Sequence, residues 1–421
     1  MSLIKTSFMN AFAVVVKLIS SLILNKILAV YVGPAGYAAT GQFQNAVSIV
    51  TSLAGGVLAN GVTKATAQHF DDEAKQHAVW KTAIQFSLIA SLVTGISLLF
   101  IGDWLSEWLL HRTDISSLFI WLALALPAMA ANNLLIAIIN GKKEVGVLVA
   151  ANIIGSISNI LVTGLLTISF GLIGALAAFT INPAVALFST AILATRFQWF
   201  KVGNLWGGVD RLALRELSGF GLMGLTSALT LPVSYMLVRD HLAKEFGLPA
   251  AGYWQASWGI SGIYLMLVTT TLSVYYLPRL AEIRTSQELK VELIKVYSFV
   301  LPIVVLGAVT IFILRDFIIH ALFTQDFLPM RELFSWQLMG DVVKIGSWIL
   351  GYVLVGRAMV GFFVITEIVF SALFVLMTWF FVDLYGLVGV SMAYAANYCF
   401  HWICMAYIVI GEMQKMKIEH D

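Results

Sequence analysis

Residues 141–182, GKKEVGVLVAANIIGSISNILVTGLLTISFGLIGALAAFTIN, return without a gap at residues 356–397 as GRAMVGFFVITEIVFSALFVLMTWFFVDLYGLVGVSMAYAAN. Thirteen of the 42 positions are identical, including Gly141/Gly356, Val145/Val360, Gly146/Gly361, Gly171/Gly386, Gly174/Gly389 and Asn182/Asn397. Chance in so biased a composition gives roughly 3 or 4. Lys142/Arg357 keeps its charge, and a second echo joins Pro34-Ala35-Gly36-Tyr37 to Ala250-Ala251-Gly252-Tyr253. The chain therefore reads as two copies of one structural unit.

The chain is 60% hydrophobic and only 11% charged, with a mean hydropathy of +0.90. Such a chain cannot cover its own surface in water, so it belongs in a bilayer. A helical span needs about 20 mostly apolar residues. Twelve stretches qualify, near 8–32, 37–62, 82–102, 116–140, 147–168, 172–195, 217–239, 251–277, 296–314, 332–356, 360–382 and 386–410. They run at helical length without the short alternation of a membrane barrel, so the expected fold is all-α. The repeats are separated by six spans, an even number, so the halves enter the membrane in the same orientation as parallel repeats. Two six-helix lobes follow, at 1–200 and 217–421, joined by a basic linker at 201–216. Carriers built this way place their substrate between the halves near mid-membrane.

Lysine and arginine set the orientation. With the amino terminus in the cytoplasm, 17 of them, Lys142, Lys143, Arg211 and Arg215 among them, fall on inside segments, against five outside: Arg112, Arg239, Lys244, Arg315 and Arg331. Both termini are therefore expected inside. Topology also accounts for the basic loops, leaving no ground for a nucleic-acid partner. The first apolar stretch lacks a small-residue cleavage site and is expected to stay as the first span. Cys399 and Cys404 are five residues apart on one helix, and the histidines are scattered, so neither disulfide nor metal is expected, and no cofactor. No inter-span segment has room for a catalytic domain, and Gly141-Lys142-Lys143 is too small a fragment to bind nucleotide. The chain is not expected to be an enzyme. Pro127, Pro183, Pro232 and Pro302 fall inside spans, where bends are expected.

Charges inside spans are costly unless they face a cavity or a partner, so they are the candidate functional residues. Lys17 lies about 13 Å along the first span, and Thr6, Asn10, Ser20 and Ser21 fall within roughly 60° of it on the helix. An ammonium there can hold a phosphate. Lys26 lies half a turn round, close enough to the outer end to snorkel, and Arg239 occupies the comparable zone of the second half. Asp341 and Lys344 share one face of span ten with Gln337 and Ser347; they either neutralise each other or take part in binding or proton coupling. Glu367, where the first half has Asn152, either meets a cation such as Lys344 or titrates. Tyr31, Tyr37, Tyr253, Trp254, Trp258 and Tyr264 read as an interfacial aromatic belt, some of which can stack on sugars.

Gly33-Pro34-Ala35-Gly36, Asn60-Gly61-Val62-Thr63-Lys64, Leu272-Ser273-Val274-Tyr275-Tyr276-Leu277-Pro278, and Leu314-Arg315-Asp316-Phe317 through Trp336-Gln337-Leu338-Met339-Gly340-Asp341-Val342-Val343-Lys344 resemble the Wzx polysaccharide flippases. The resemblance covers essentially the whole chain. It implies the multidrug/oligosaccharidyl-lipid/polysaccharide exporter fold, with two six-helix lobes opening alternately like a V. It also implies transport of an undecaprenyl-diphosphate-linked oligosaccharide, of lipid III or O-antigen type, across the bacterial inner membrane. The partners implied are that glycan lipid, membrane lipids and other polysaccharide assembly proteins such as a polymerase and a chain-length regulator, with a proton or sodium as coupling ion. A diphosphate needs cavity cations, for which Lys17, Lys26, Lys64, Arg239 and Lys344 are the candidates, with Asp341 and Glu367 as coupling or ion-pair candidates. The alternatives are an ion-coupled drug exporter of the same superfamily, which favours acidic and aromatic cavity residues, and an intramembrane polymerase or ligase. The latter calls for a large outer loop rich in Arg and His, whereas residues 315–331 offer only Asp316, His320 and Asp326 beside the terminal arginines.

Overall fold

The computed structural model describes residues 3–110, 112 and 114–418. The side chains of Lys5, Thr6, Asn10 and Glu216, and all of His111 and His420, lie outside what is described. The described elements are helices: α1 (Leu3–Leu53), α2 (Ala59–Gln68), α3 (Glu73–Leu110), α4 (Ser117–Gly141), α5 (Val145–Ala194), α6 (Val202–Leu205) and α7 (Arg211–Phe246). There follow α8 (Leu248–Thr271), α9 (Leu277–Glu282), α10 (Ser286–Leu322), α11 (Phe334–Gly356), α12 (Val360–Tyr385) and α13 (Gly389–Ile418). Leu272–Tyr276, inside one of the family-like strings, is a π-helical turn.

Among the described residues, eight helical stretches are long and apolar enough to cross a membrane. Three of them are of double length and break at Gly33, Gly171 and Gly386, and α8 completes the twelve spans. The breaks are glycine because φ is +63°, +56° and +65° there, a region that side chains resist. At the last two the chain doubles back. A Cβ on Gly174 would overlap the carbonyl oxygen of Leu166, and one on Gly389 that of Phe381, although residues eight apart in an unbroken helix are roughly 12 Å apart. Each pair of spans is thus a tight helical hairpin. The helices run through Pro127, Pro183, Pro232 and Pro302 with helical backbone angles, and the departures from helical angles fall at glycine. The expected span 37–62 is also interrupted: α1 ends at Leu53, a 3₁₀ turn spans Gly56–Leu58, and α2 restarts at Ala59.

The duplication is reproduced in backbone detail. Lys143 and Ala358, 215 residues apart, both take the left-handed conformation, with φ of +60° and +53°. The residues after them, Glu144 and Met359, repeat φ/ψ of −82°/61° and −79°/62°. Four backbone hydrogen bonds recur at the same offset: Lys142 to Ile138 and Arg357 to Val353, Lys143 to Asn140 and Ala358 to Val355, Glu144 to Ile139 and Met359 to Leu354, and Val145 to Lys143 and Val360 to Ala358. A left-handed non-glycine residue costs about 1–2 kcal/mol, so its presence in both copies marks the turn as a built feature of the unit. The paired cations differ in partner: Lys142 Nζ lies 5.5 Å from the Trp80 ring, whereas Arg357 Nε bonds Glu412 at 3.1 Å.

Two compact units result, Met1–Val32 with Ala39–Val233, and Gly33–Ala38 with Ser234–Asp421. In the first, α2, α3 and α4 pack around Trp80, Leu134 and Ile138, with Leu217 of α7 against Gly61. In the second, one core gathers Leu280, Leu293, Ile349 and Val353, and another gathers Trp254, Phe374, Val390 and Tyr394.

A buried charge cluster as candidate functional site

The polar face of α11 points into the second unit. Gln337, Asp341, Lys344 and Ser347 recur at helical spacing and are all buried. Such a face is tolerable only where neighbouring helices supply partners. Asp341 accepts hydrogen bonds from Tyr264 of α8 (3.0 Å) and Tyr394 of α13 (2.9 Å), and also from Ser261. The Lys344 ammonium sits among four rings, 4.7 Å from Trp348, 5.4 Å from Tyr398, 5.5 Å from Trp258 and 5.6 Å from Tyr394. Asp341 and Lys344 do not form the direct ion pair that their spacing permits. The carboxylate is held by hydroxyls and the ammonium by π faces, which explains how two charges persist in an apolar unit without touching. Glu367 of α12 acts on Lys344 at longer range. Further along, Ser347 bonds His401.

Arg239 of α7 is likewise buried, its guanidinium carbon 5.6 Å from the Trp254 ring and its Nη2 bonded to Gln255. The candidate cations therefore fall into two kinds. Lys17 and Lys64 are exposed and Lys26 is half-buried, all three in the first unit, whereas Arg239 and Lys344 are seated on aromatic rings in the second. The structure brings together Asp341 and Lys344, with Glu367 in electrostatic reach; Lys17, Lys26 and Lys64 are not part of that cluster. Ser20 of the expected polar stripe is buried and bonds the carbonyl of Val16, while Lys17 itself is exposed.

The aromatic belt needs correction. Tyr37 and Trp254 are core residues, Tyr264 serves Asp341, and Trp258 carries Lys344, so of these only Tyr31 stays exposed. The sequence reading missed Ser261, Trp348, Tyr394 and Tyr398 as partners. A signal existed in the spacing of Ser257, Ser261 and Tyr264 on α8 and of Ser391, Tyr394 and Tyr398 on α13, each a polar face inside an apolar span. Among the described residues no cluster of His, Cys, Asp or Glu is placed to hold a metal ion.

Residues 41–332 match a family described as "Polysaccharide biosynthesis protein". Over 398 residues the chain is 32% identical to the lipid III flippase of Escherichia coli (strain K12), covering 94% of this chain and 96% of that protein. The chain belongs to this polysaccharide-biosynthesis family. The lipid III flippase of Shigella flexneri matches to the same extent. Among solved structures, an inward-facing multidrug-resistance MATE transporter of the MOP superfamily superposes with a TM-score of 0.81 at 17% identity, covering 95% of each chain. An outward-facing form of a MATE transporter gives 0.69 at 18% identity over 96% of each chain. At these identities the structures establish the fold: a multi-pass helical membrane protein of the MATE-like kind.

Proposed function

We propose that this family member flips an undecaprenyl-diphosphate-linked oligosaccharide from the cytoplasmic to the periplasmic leaflet of the bacterial inner membrane by alternating access, for surface polysaccharide assembly. The observation that carries this reading is the relationship to the lipid III flippases over nearly the full length of both chains. The duplicated helical unit supports it, because parallel repeats of this kind are one of the architectures from which alternating-access carriers are built. The protein supplies binding and a path, and no bond is made or broken.

In this reading Lys17, Lys26 and Lys64 meet the diphosphate first, because Lys17 and Lys64 are exposed and Lys26 is half-buried, whereas Arg239 and Lys344 are buried. Arg239 and Lys344 join only by leaving their rings, at a cost of about 0.5–2 kcal/mol each. Asp341 and Glu367 are the carboxylates through which a coupling proton acts. Mass spectrometry of lipids retained by the purified protein tests the substrate class. A polyprenyl-diphosphate glycan is the expected adduct, and a preparation that retains phospholipid alone from cells rich in that glycan lipid contradicts it.

The 17-to-5 distribution of basic residues supports a cytoplasmic location for both termini. Leu248 and Gln287 are exposed and fall on opposite sides of α8. A cysteine probe at Leu248 in intact cells is expected to be labelled from outside and one at Gln287 to be protected. The reverse pattern overturns the orientation.

A further inference from the structure

Three helices of the second unit run parallel in register. Gly340 packs on Tyr394, Ser347 bonds His401 and Arg357 bonds Glu412, which ties α11 to α13 at an offset of 54 or 55 residues throughout. Tyr264 meets Asp341 and Ser273 meets Tyr352, which runs α8 alongside α11 in the same direction. One turn before Asp341, about 5.4 Å along the axis, the α13 register brings Gln337 level with Ser391, and the hydrogen bond from Ser261 to Asp341 brings it level with Ser257 on α8. On each helix these residues lie within roughly 60° of the ones that serve Asp341, so they share its face.

Ser257, Gln337 and Ser391 are 1%, 1% and 0% exposed, yet neither hydroxyl and neither end of the Gln337 amide has a protein partner, nor has the indole N–H of buried Trp254 on the same face of α8. Orphan groups of this kind are rare and cost about 1–3 kcal/mol each. Their chemistry selects what satisfies them. The amide offers two N–H donors and an oxygen, the indole only a donor, and the serines serve either way. A metal ion answers oxygens alone and leaves every N–H unpaired, whereas water both donates and accepts.

We propose that the space between Ser257, Gln337 and Ser391 binds a small cluster of ordered water, and that this water is the proton donor and acceptor for Asp341. A hydrated proton reaching the cluster passes its proton to a carboxylate oxygen and is left as neutral water; the reverse step restores the carboxylate. The groups facing Asp341 fit that role. They are Tyr264 of α8, Tyr394 and Tyr398 of α13, Tyr235 of α7 and Lys344 on its own helix, with Glu367 of α12 acting on Lys344. Tyr297 of α10 is committed to the carbonyl of Gly346, and Arg331 and Arg279, near α11, pair with Asp316 and Glu282. The proposal rests on Asp341 changing protonation during transport, but its test needs no transported lipid, so it fails separately from the flippase reading.

The test uses the full-length protein in nanodiscs and follows the carboxylic C=O infrared band after a pH jump, with Asp341→Asn assigning the band. Combining Ser257→Ala, Gln337→Leu and Ser391→Ala is expected to slow the band's appearance by roughly tenfold or more, the barrier of about one lost hydrogen bond. An unchanged rate, or no such band in the unmodified protein, overturns the proposal. A high-resolution density map of the unmodified protein gives a readout that does not depend on the variant folding. Density within hydrogen-bond distance of at least two of the three side chains supports the proposal. Side chains paired directly with one another, or a peak held by oxygens alone, overturn it.

Discussion

Replacing Asp341 by alanine is expected to cost about 3–5 kcal/mol, enough to prevent recovery of folded protein, because it removes one member of a buried charge system and leaves the rest uncompensated. The hydroxyls of Tyr264 and Tyr394 lose their acceptor, and Lys344 loses the nearest negative charge while still enclosed by four rings. Asp341→Asn keeps an acceptor for both hydroxyls and is expected to cost less. Because Asp341 and Lys344 are held by separate partners and not by each other, adding Lys344→Gln to Asp341→Asn is expected to recover only part of the loss, with a coupling of about 0.5–3 kcal/mol. Thermal unfolding of the two single variants and the double variant closes the cycle. Full recovery in the double variant contradicts the account, since it means that mutual neutralisation was the whole role of the two charges.

The fold was legible because its determinants are local and repeated. Span length follows from apolar runs, and the duplication from glycines that backbone geometry demands, as at Gly171/Gly386, or that close packing demands, as at Gly174/Gly389. The reversals were not legible from proline, because a helix passes through Pro127 or Pro302 at the loss of one hydrogen bond, while a reversal requires the positive φ that only glycine takes freely. The charged residues were legible one at a time, since a carboxylate or ammonium in an apolar span is conspicuous. Their partners were not. That Lys344 rests on Trp258, Trp348, Tyr394 and Tyr398 depends on the register of α8 and α13 against α11, a tertiary property that spacing within one helix does not carry. The same register hid the orphan groups of Ser257, Gln337 and Ser391, each an unremarkable polar residue in its own span.

Lys17 carries the second large effect. It is exposed, so Lys17→Gln is expected to change stability by no more than about 0.5 kcal/mol. A charge-assisted contact to a phosphate is worth about 1.5–3 kcal/mol, so losing it is expected to weaken capture of a diphosphate lipid roughly 10- to 100-fold. Lys17→Arg keeps the cation and is expected to retain part of the activity. The most direct test of the whole account reconstitutes the protein in proteoliposomes and measures flipping of an undecaprenyl-diphosphate oligosaccharide, with the same glycan on undecaprenyl alcohol as the control. The account predicts flipping of the diphosphate lipid, a strong preference for it over the alcohol, and loss of that preference in Lys17→Gln. A parent protein that flips neither lipid, or both equally well, contradicts it.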